Sequence, residues 1–422
     1  GIATKTITGV LAGSVTMEAT AAGLTTGTLG AFTVVHGAAT QLALSGATTN
    51  LTSGATRILT ATIQDAAGNT VTSDSTTVVA FAKASGAGTV TGTGNDTAAA
   101  GVATKTITGA LAGTVTMEAT AAGLTTGTLG AFTVVHGAAA QIELTGSTTN
   151  LTSGATRVLT ATIQDAAGNT VTSDSTTVVA FAKASGAGTV SGTGNATAVA
   201  GTASKTVTGV LVGSVTMEAT AAGLTTGTLG AFTVVHGAAA QIALSGATTD
   251  LVSGATRVLT ATVQDAAGNT VTSDSTTVVA FAKAAGAGTV SGTGNDTAVA
   301  GVASKTVTGV LAGSVTMEAT AAGLTTGTLG AFTVVHGAAT QIALTGATTD
   351  LAAGATRLLT ATIQDAAGNT VTSDNTTVVA FAKAAGAGTV SGTGNATAVA
   401  GVATKTITGA LAGSVTMEAT AA

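Results

Sequence analysis

Apolar and hydroxyl-bearing side chains alternate along most of this chain. Leu59, Ala61 and Ile63 are interleaved with Thr60, Thr62 and Gln64, and Val115, Met117 and Ala119 with Thr114, Thr116 and Glu118. A period of two sends the two sets to opposite faces of an extended backbone, so both stretches are predicted to be half-buried strands with the apolar set inward. Thr, Val and Ile suit a pleated backbone because branching at Cβ restricts their side-chain rotation, and the same restriction disfavours helix. Between such stretches, Asp65-Ala66-Ala67-Gly68-Asn69 supplies a carboxylate that can accept from its own backbone and a glycine for positive φ, which predicts strand, tight turn, strand. Further breaks at Ser53-Gly54, Gly86-Ala87-Gly88, Gly92-Thr93-Gly94-Asn95, Gly101, Gly109, Gly113 and Gly123 divide the chain again. They leave about seven short strands, near 41–45, 55–65, 70–83, 88–92, 102–108, 113–121 and 128–135.

The pattern then recurs. QDAAGNTVTSD at 64–74 returns letter for letter at 164, 264 and 364, and laying 38–137 over 138–237 leaves 15 differences in 100 positions by direct count. The chain is therefore divided into 1–37, the trailing part of a truncated module; modules at 38–137, 138–237 and 238–337; and 338–422, a module lacking its last strand. The differences respect the strand register: outward Ala43 becomes Glu143, whereas inward Ile107 becomes only Val207. About seven short strands in about 100 residues suggest a two-sheet sandwich rather than a solenoid of shorter period. Junctions such as Val134-Val135-His136-Gly137-Ala138-Ala139 contain no Pro-rich or long Gly/Ser linker, so adjacent modules are expected to sit close together.

The order SGATRILTATIQDAAGNTV, VVAFAKASGAGTV, GVATKTITG and AGTVTMEATAAG resembles the bacterial immunoglobulin-like domains of invasin and intimin type found in large surface adhesins. The matching features are the strand ending in Asp65 with Gly68-Asn69 after it, the Gly101-Val102-Ala103 lead-in to a strand, and the Gly113 to Ala119 strand ending in an Ala-Thr pair. The resemblance covers the whole chain and implies an all-β fold, tandem immunoglobulin-like β-sandwiches of about 100 residues arranged as an elongated rod. One departure is Lys105, with Lys5, Lys205, Lys305 and Lys405, where members of that family usually carry an apolar residue. Its parity is inward, and two readings follow: a stem packed on the core with its ammonium in water, or an isopeptide bond to an Asn or Asp. The second lacks an Asn in the last strand, and Glu118, its acidic candidate, has outward parity.

Composition narrows the function. Charged residues are 7% of the 422, so Thr, Ser, Gly and Asn must cover the surface. Although 45% of residues are apolar, no run approaches the roughly 18 residues of a membrane span, and no span is expected in this segment. The 18 acidic and 13 basic residues are spread evenly, giving a net charge of −5 and no basic stripe, which argues against nucleic acid as a partner. Cysteine is absent, excluding disulfides and thiol chemistry. His136 stands alone at its junction and is read as a solvated linker histidine. The Gly-Thr-Gly-Asn-Asp run at 92–96 lacks the spaced ligands of a calcium loop, and Asp96 becomes Ala196 in the next copy. Asn50, Asn95 and Asn195 lie in N-x-T triplets that arise readily in a Thr-rich chain, and carbohydrate recognition would call for Trp or Tyr, which are missing.

No residue is assigned a catalytic, cofactor-binding or metal-binding role, no cofactor is expected, and an enzyme is not the reading. The expected function is a structural spacer or stalk of a large repetitive bacterial cell-surface or secreted adhesin, located extracellularly or on the cell surface. The alternative is a self-assembling extracellular filament of immunoglobulin-like repeats, formed by donation of a strand such as 27–37 to a module lacking its last one. Its partners are neighbouring repeats of the same chain and, in the filament, other copies of itself. Both ends are read as cuts through a longer repetitive protein.

Overall fold

The computed structural model describes residues 1–421, all strand, turn and loop with no helix among them. Contacts divide the chain into two compact units, one of Gly1–Thr149, Thr156–Thr208 and Ser214–Thr233, the other of Asn150–Ala155, Gly209–Gly213 and Val234–Ala422. The first contains a complete sandwich over residues 41–135 and the second a complete one over 241–335.

In the first, nine strands follow in order: β1 (Gln41–Ser45), β2 (Leu51–Thr52), β3 (Thr56–Gln64), β4 (Val78–Ser85), β5 (Val90–Thr91), β6 (Gly94–Thr97), β7 (Val102–Gly109), β8 (Gly113–Thr120) and β9 (Gly127–Val135). One sheet has the order β1-β3-β7-β5 and the other β2-β9-β8-β4-β6. Both central ladders are antiparallel, Leu59 opposite Lys105 in one and Ala119 opposite Phe81 in the other. Between the sheets, Leu59, Ala61, Ile63, Phe81, Ile107, Val115, Met117, Ala119, Phe132 and Val134 form one continuous core. The two-residue alternation read from the sequence is thus the inside and outside of a sandwich. The register holds under substitution, with Glu143 exposed and Val207 buried.

Three details differ from the sequence reading. The strand expected at 70–83 begins only at Val78, because Asp74 turns the chain: its carboxylate accepts from Thr76 N, Thr77 N and Thr77 Oγ1, the last at 2.6 Å. Two short strands, β2 and β6, fall outside the seven expected ones, each built by pairing with a distant partner, β9 or β4. In β9, Gly130 and Ala131 together oppose Thr116, a bulge that resets parity so that Leu129 and Phe132, three apart, both point inward.

The fragment 1–37 shows the dependence on facing sheets. Gly13–Ala19 and Gly27–Val34 pair as they do in a complete repeat, but residues 1–10, equivalent to the β7 segment, form no strand. Leu29 is 58% and Phe32 37% exposed, against 6% and 3% for Leu129 and Phe132. At the other end, the sheet of 378–421 has three strands, and Leu344, Arg357, Leu359, Ile407 and Met417 line an open groove of about 640 Å³.

Arg57 shares the inward parity of Leu59 and closes one end of the core. Its guanidinium lies 4.6 Å from the centre of the Phe132 ring and its Nη2 donates to Thr49 O at 2.7 Å. Burial lowers its pKa.

Each repeat also holds a strained corner. Ala100, Ala200, Ala300 and Ala400 adopt φ of 48–49°, each followed by a glycine of positive φ, in a two-residue turn closed by Ala99 N to Val102 O at 2.9 Å and Val102 N to Ala99 O at 3.1 Å. The glycine is obligatory, since a Cβ on Gly101 would lie 2.6 Å from Val71 O. The alanine is not: Ala100 is exposed, and a left-handed alanine costs about 1 kcal/mol relative to a residue that tolerates the region. Replacing all four alanines by Asn is expected to stabilise each repeat by up to ~1 kcal/mol, and by Val to destabilise each by more than that, read from thermal and urea unfolding.

Candidate functional site

The turn after β3 is where polar chemistry is concentrated. Asp165 heads it: Oδ1 accepts from Ala167 N and Asn169 N, both at 2.9 Å, and its own backbone is closed by Asp165 N to Asn169 O at 2.9 Å and Gly168 N to Asp165 O at 3.1 Å. Gly168 takes φ of +87°, as the sequence required. So far this is the expected local turn.

The rest of the turn faces the preceding repeat. Asp165 Oδ2 accepts from Gly137 N, in the segment that joins the two repeats, at 2.7 Å, and from Asn169 Nδ2 at 2.9 Å. Asn169 then uses both ends of its amide across the junction: Nδ2 donates to Ala110 O at 2.8 Å and to Ser53 Oγ at 3.2 Å, and Oδ1 accepts from Ala112 N at 2.7 Å. Ser53 Oγ in turn donates to Ala110 O at 2.9 Å. All of these groups belong to one compact unit. Contact with the preceding repeat leaves Asp165 2% and Asn169 7% exposed. A buried carboxylate and a buried amide with every polar atom satisfied is the condition under which such groups stabilise rather than cost.

The same arrangement recurs within the second unit. Asn269 bonds Val210 O, Ser153 Oγ and Val212 N while Asp265 holds Gly237 N; Asn369 bonds Val310 O, Ser253 Oγ and Ala312 N while Asp365 holds Gly337 N. Asn69 makes the corresponding bonds to Val10 O and Ala12 N. The linking residues are held as well, Ala140 N donating to Gln164 O at 2.8 Å.

The side chains weighed from the sequence lie apart from one another. His136 is half-buried at the junction, its Nδ1 2.9 Å from Gly137 O. Lys105 is half-buried in mid-strand, and its Nζ donates to Asn95 O at 3.0 Å, tying β7 of one sheet to β6 of the other. That partner is a main-chain carbonyl, which offers no carboxyl or carboxamide for an isopeptide bond. Glu118 is on the outer face of the opposite sheet, facing Thr128 and Ala82 across the ladder. Asp96 accepts from Thr104 N at 2.8 Å, an edge contact that Ala196 cannot make. Asn50, Asn95 and Asn195 are exposed. Among the described residues, no three His, Cys, Asp or Glu side chains converge as metal ligands would. What the sequence reading missed is the outward reach of Asn169. Nothing local to the turn signals it, since most segments of these near-identical copies are unchanged and the partners of Asn169 lie far away in the chain.

Burial pushes the Asp265 carboxyl up, but donation from Gly237 N, Asn269 Nδ2, Asn269 N and Ala267 N outweighs it and lowers the group to about 2; Asp165 behaves alike. A folded-state value below the ordinary ~3.9 means that the carboxylate contributes stability above that pH and loses it as pH falls toward the folded value. Acid titration of the thermal midpoint is therefore expected to show a loss between about pH 4 and about pH 2. Asp165→Asn together with Asp265→Asn should lower the midpoint at neutral pH and flatten the dependence over that window.

No protein-family model and no curated protein matches the chain. Solved structures similar to it include FdeC, an Escherichia coli adhesin, at 20% identity over 72% of this chain and 100% of that one, with a TM-score of 0.32. Invasin, a bacterial integrin-binding protein, matches at 15% identity over 90% and 78% of the two chains, with a TM-score of 0.32. The D0-D1 domain of intimin matches at 19% identity over 46% and 98%, with a TM-score of 0.20. These structural neighbours are bacterial immunoglobulin-like adhesin domains.

Proposed function

We propose that this chain is a structural spacer, or stalk, of a large repetitive bacterial adhesin, exposed at the cell surface or secreted. Its working units are the modules 38–137, 138–237 and 238–337, flanked by the partial modules 1–37 and 338–422. The observation that carries this reading is the Asp–Asn turn, which fastens one repeat to the next with the same bonds at 169, 269 and 369. A flexible tether needs no such contact, and a composition of Gly and Ser would serve it. A spacer that holds a distal group at a defined position does need it, once per repeat.

Coupling between neighbours is the measurable consequence. In a linear array, stability is the sum of each repeat's own stability and the contact with its neighbours. Asn169→Ala, Asn269→Ala and Asn369→Ala together remove the asparagine's share of the cross-junction bonds and leave Asp carboxylates short of a donor, at an expected cost of about 1–3 kcal/mol per junction. Urea unfolding of the full chain should shift to lower midpoint and become less cooperative, with a smaller slope. An unchanged slope would mean that the asparagine bonds do not couple the repeats and that this turn does not organise a stalk. Sedimentation across a range of concentrations separates spacer from filament: a single species of constant mass is expected, and mass growing with concentration would replace the spacer with the strand-donated filament.

A further inference from the structure

The strands at the two ends of a repeat are paired in parallel. In the sandwich of 241–335, Leu251 and Val252 lie beside Val334 and Val335, and Ser253 N donates to Val335 O at 2.8 Å. Nearer the leading end, Thr325 N donates to Ala240 O and Ile242 N donates to Thr325 O, both at 2.9 Å, around the parallel bridge of Gln241 with Thr325. The sandwich of 41–135 repeats both patches, Leu51–Val134 and Thr52–Val135 in one and Gln41–Thr125 in the other. The two backbones also touch without an intervening side chain, since a Cβ on Gly327 would lie 2.6 Å from Ile242 O and 2.9 Å from Leu244 N.

Parallel first and last strands put the incoming and outgoing chain at opposite poles of the sandwich. Tension along the chain then draws the first strand one way and the last strand the other, along their common axis. The hydrogen bonds of both patches lie across that axis and must stretch together, whereas a pair of strands pulled apart from one end releases its bonds one at a time. From this geometry we infer that each repeat is a mechanical clamp, loaded in shear by its own two neighbours, and that the protein carries tension. The inference rests on the spacer reading and adds to it: the stalk resists pull as well as setting distance. Its load path runs from the last strand through residues 336–340, where Gly337 N is held by Asp365 and Thr340 N by Gln364 O, into the next repeat.

The absence of cysteine allows paired thiols to be placed as handles on the full chain without competition. Ala238, Ala322 and Ala338 are all exposed. Ala238→Cys with Ala338→Cys loads the repeat from opposite poles, and Ala238→Cys with Ala322→Cys loads it from the same pole. Single-molecule pulling is expected to need roughly twofold or more force for the first pair than for the second, since forced unfolding reports the barrier along the pulled direction. Gly327→Ala, which wedges the two strands apart at a position whose φ an alanine can adopt, should bring the first force down toward the second. Equal forces for the two pairs, or no fall in the first force on Gly327→Ala, would overturn the clamp. Equal forces beside intact coupling between repeats would remove the clamp and leave the spacer, while loss of coupling beside unequal forces would do the reverse.

Discussion

A carboxylate with almost no access to water sits at each junction, and the conditions for keeping it there organise the region around it. Asp165 needs donors for both oxygens: two come from the turn it heads, one from the Asn169 amide, and one from Gly137 of the segment that arrives from the preceding repeat. The turn is therefore complete only when that segment is in place, and the segment is fixed only when the turn has formed. Leaving such a group short of a partner costs more than the bond itself, because the desolvated charge remains.

Asn169 extends this dependence into the body of the preceding repeat. It reads backbone at Ala110 and Ala112, so the identity of those residues is free, and the corresponding pair is Val210 and Val212 at the next junction with the same bonds. Recognition through main chain lets nearly identical repeats dock regardless of small sequence drift. The remaining surface is governed differently. With 7% charged residues, its hydration is carried by threonine and serine hydroxyls on the outer faces of both sheets, which hold water without setting up long-range fields.

The parallel pairing of first and last strands has two consequences of one cause. It sends the chain out of a sandwich at the pole opposite to the one it came in by. It also sets the terminal hydrogen bonds across the direction in which the chain would be pulled. Both follow from the crossing of the chain between sheets at residues 46–50, which carries it from β1, beside β3, to β2, beside β9.

The sequence by itself determined what depends on neighbours one or two positions away. Leu59, Ala61 and Ile63 against Thr60 and Thr62 fixed strand and face, Gly68 and Asp65 fixed a turn, and the return of QDAAGNTVTSD every hundred residues fixed the repeat. Tertiary structure decided whatever depends on groups far apart in the chain. β2 and β6 are too short to announce themselves and exist only because β9 and β4 present open edges, while the bulge at Gly130-Ala131 overrides alternation to bury both Leu129 and Phe132. The junction is the clearest case: Asn169 looked like one more turn residue because its partners are 57, 59 and 116 positions away, and hydrogen-bonding capacity read from a side chain does not reveal which distant backbone will use it.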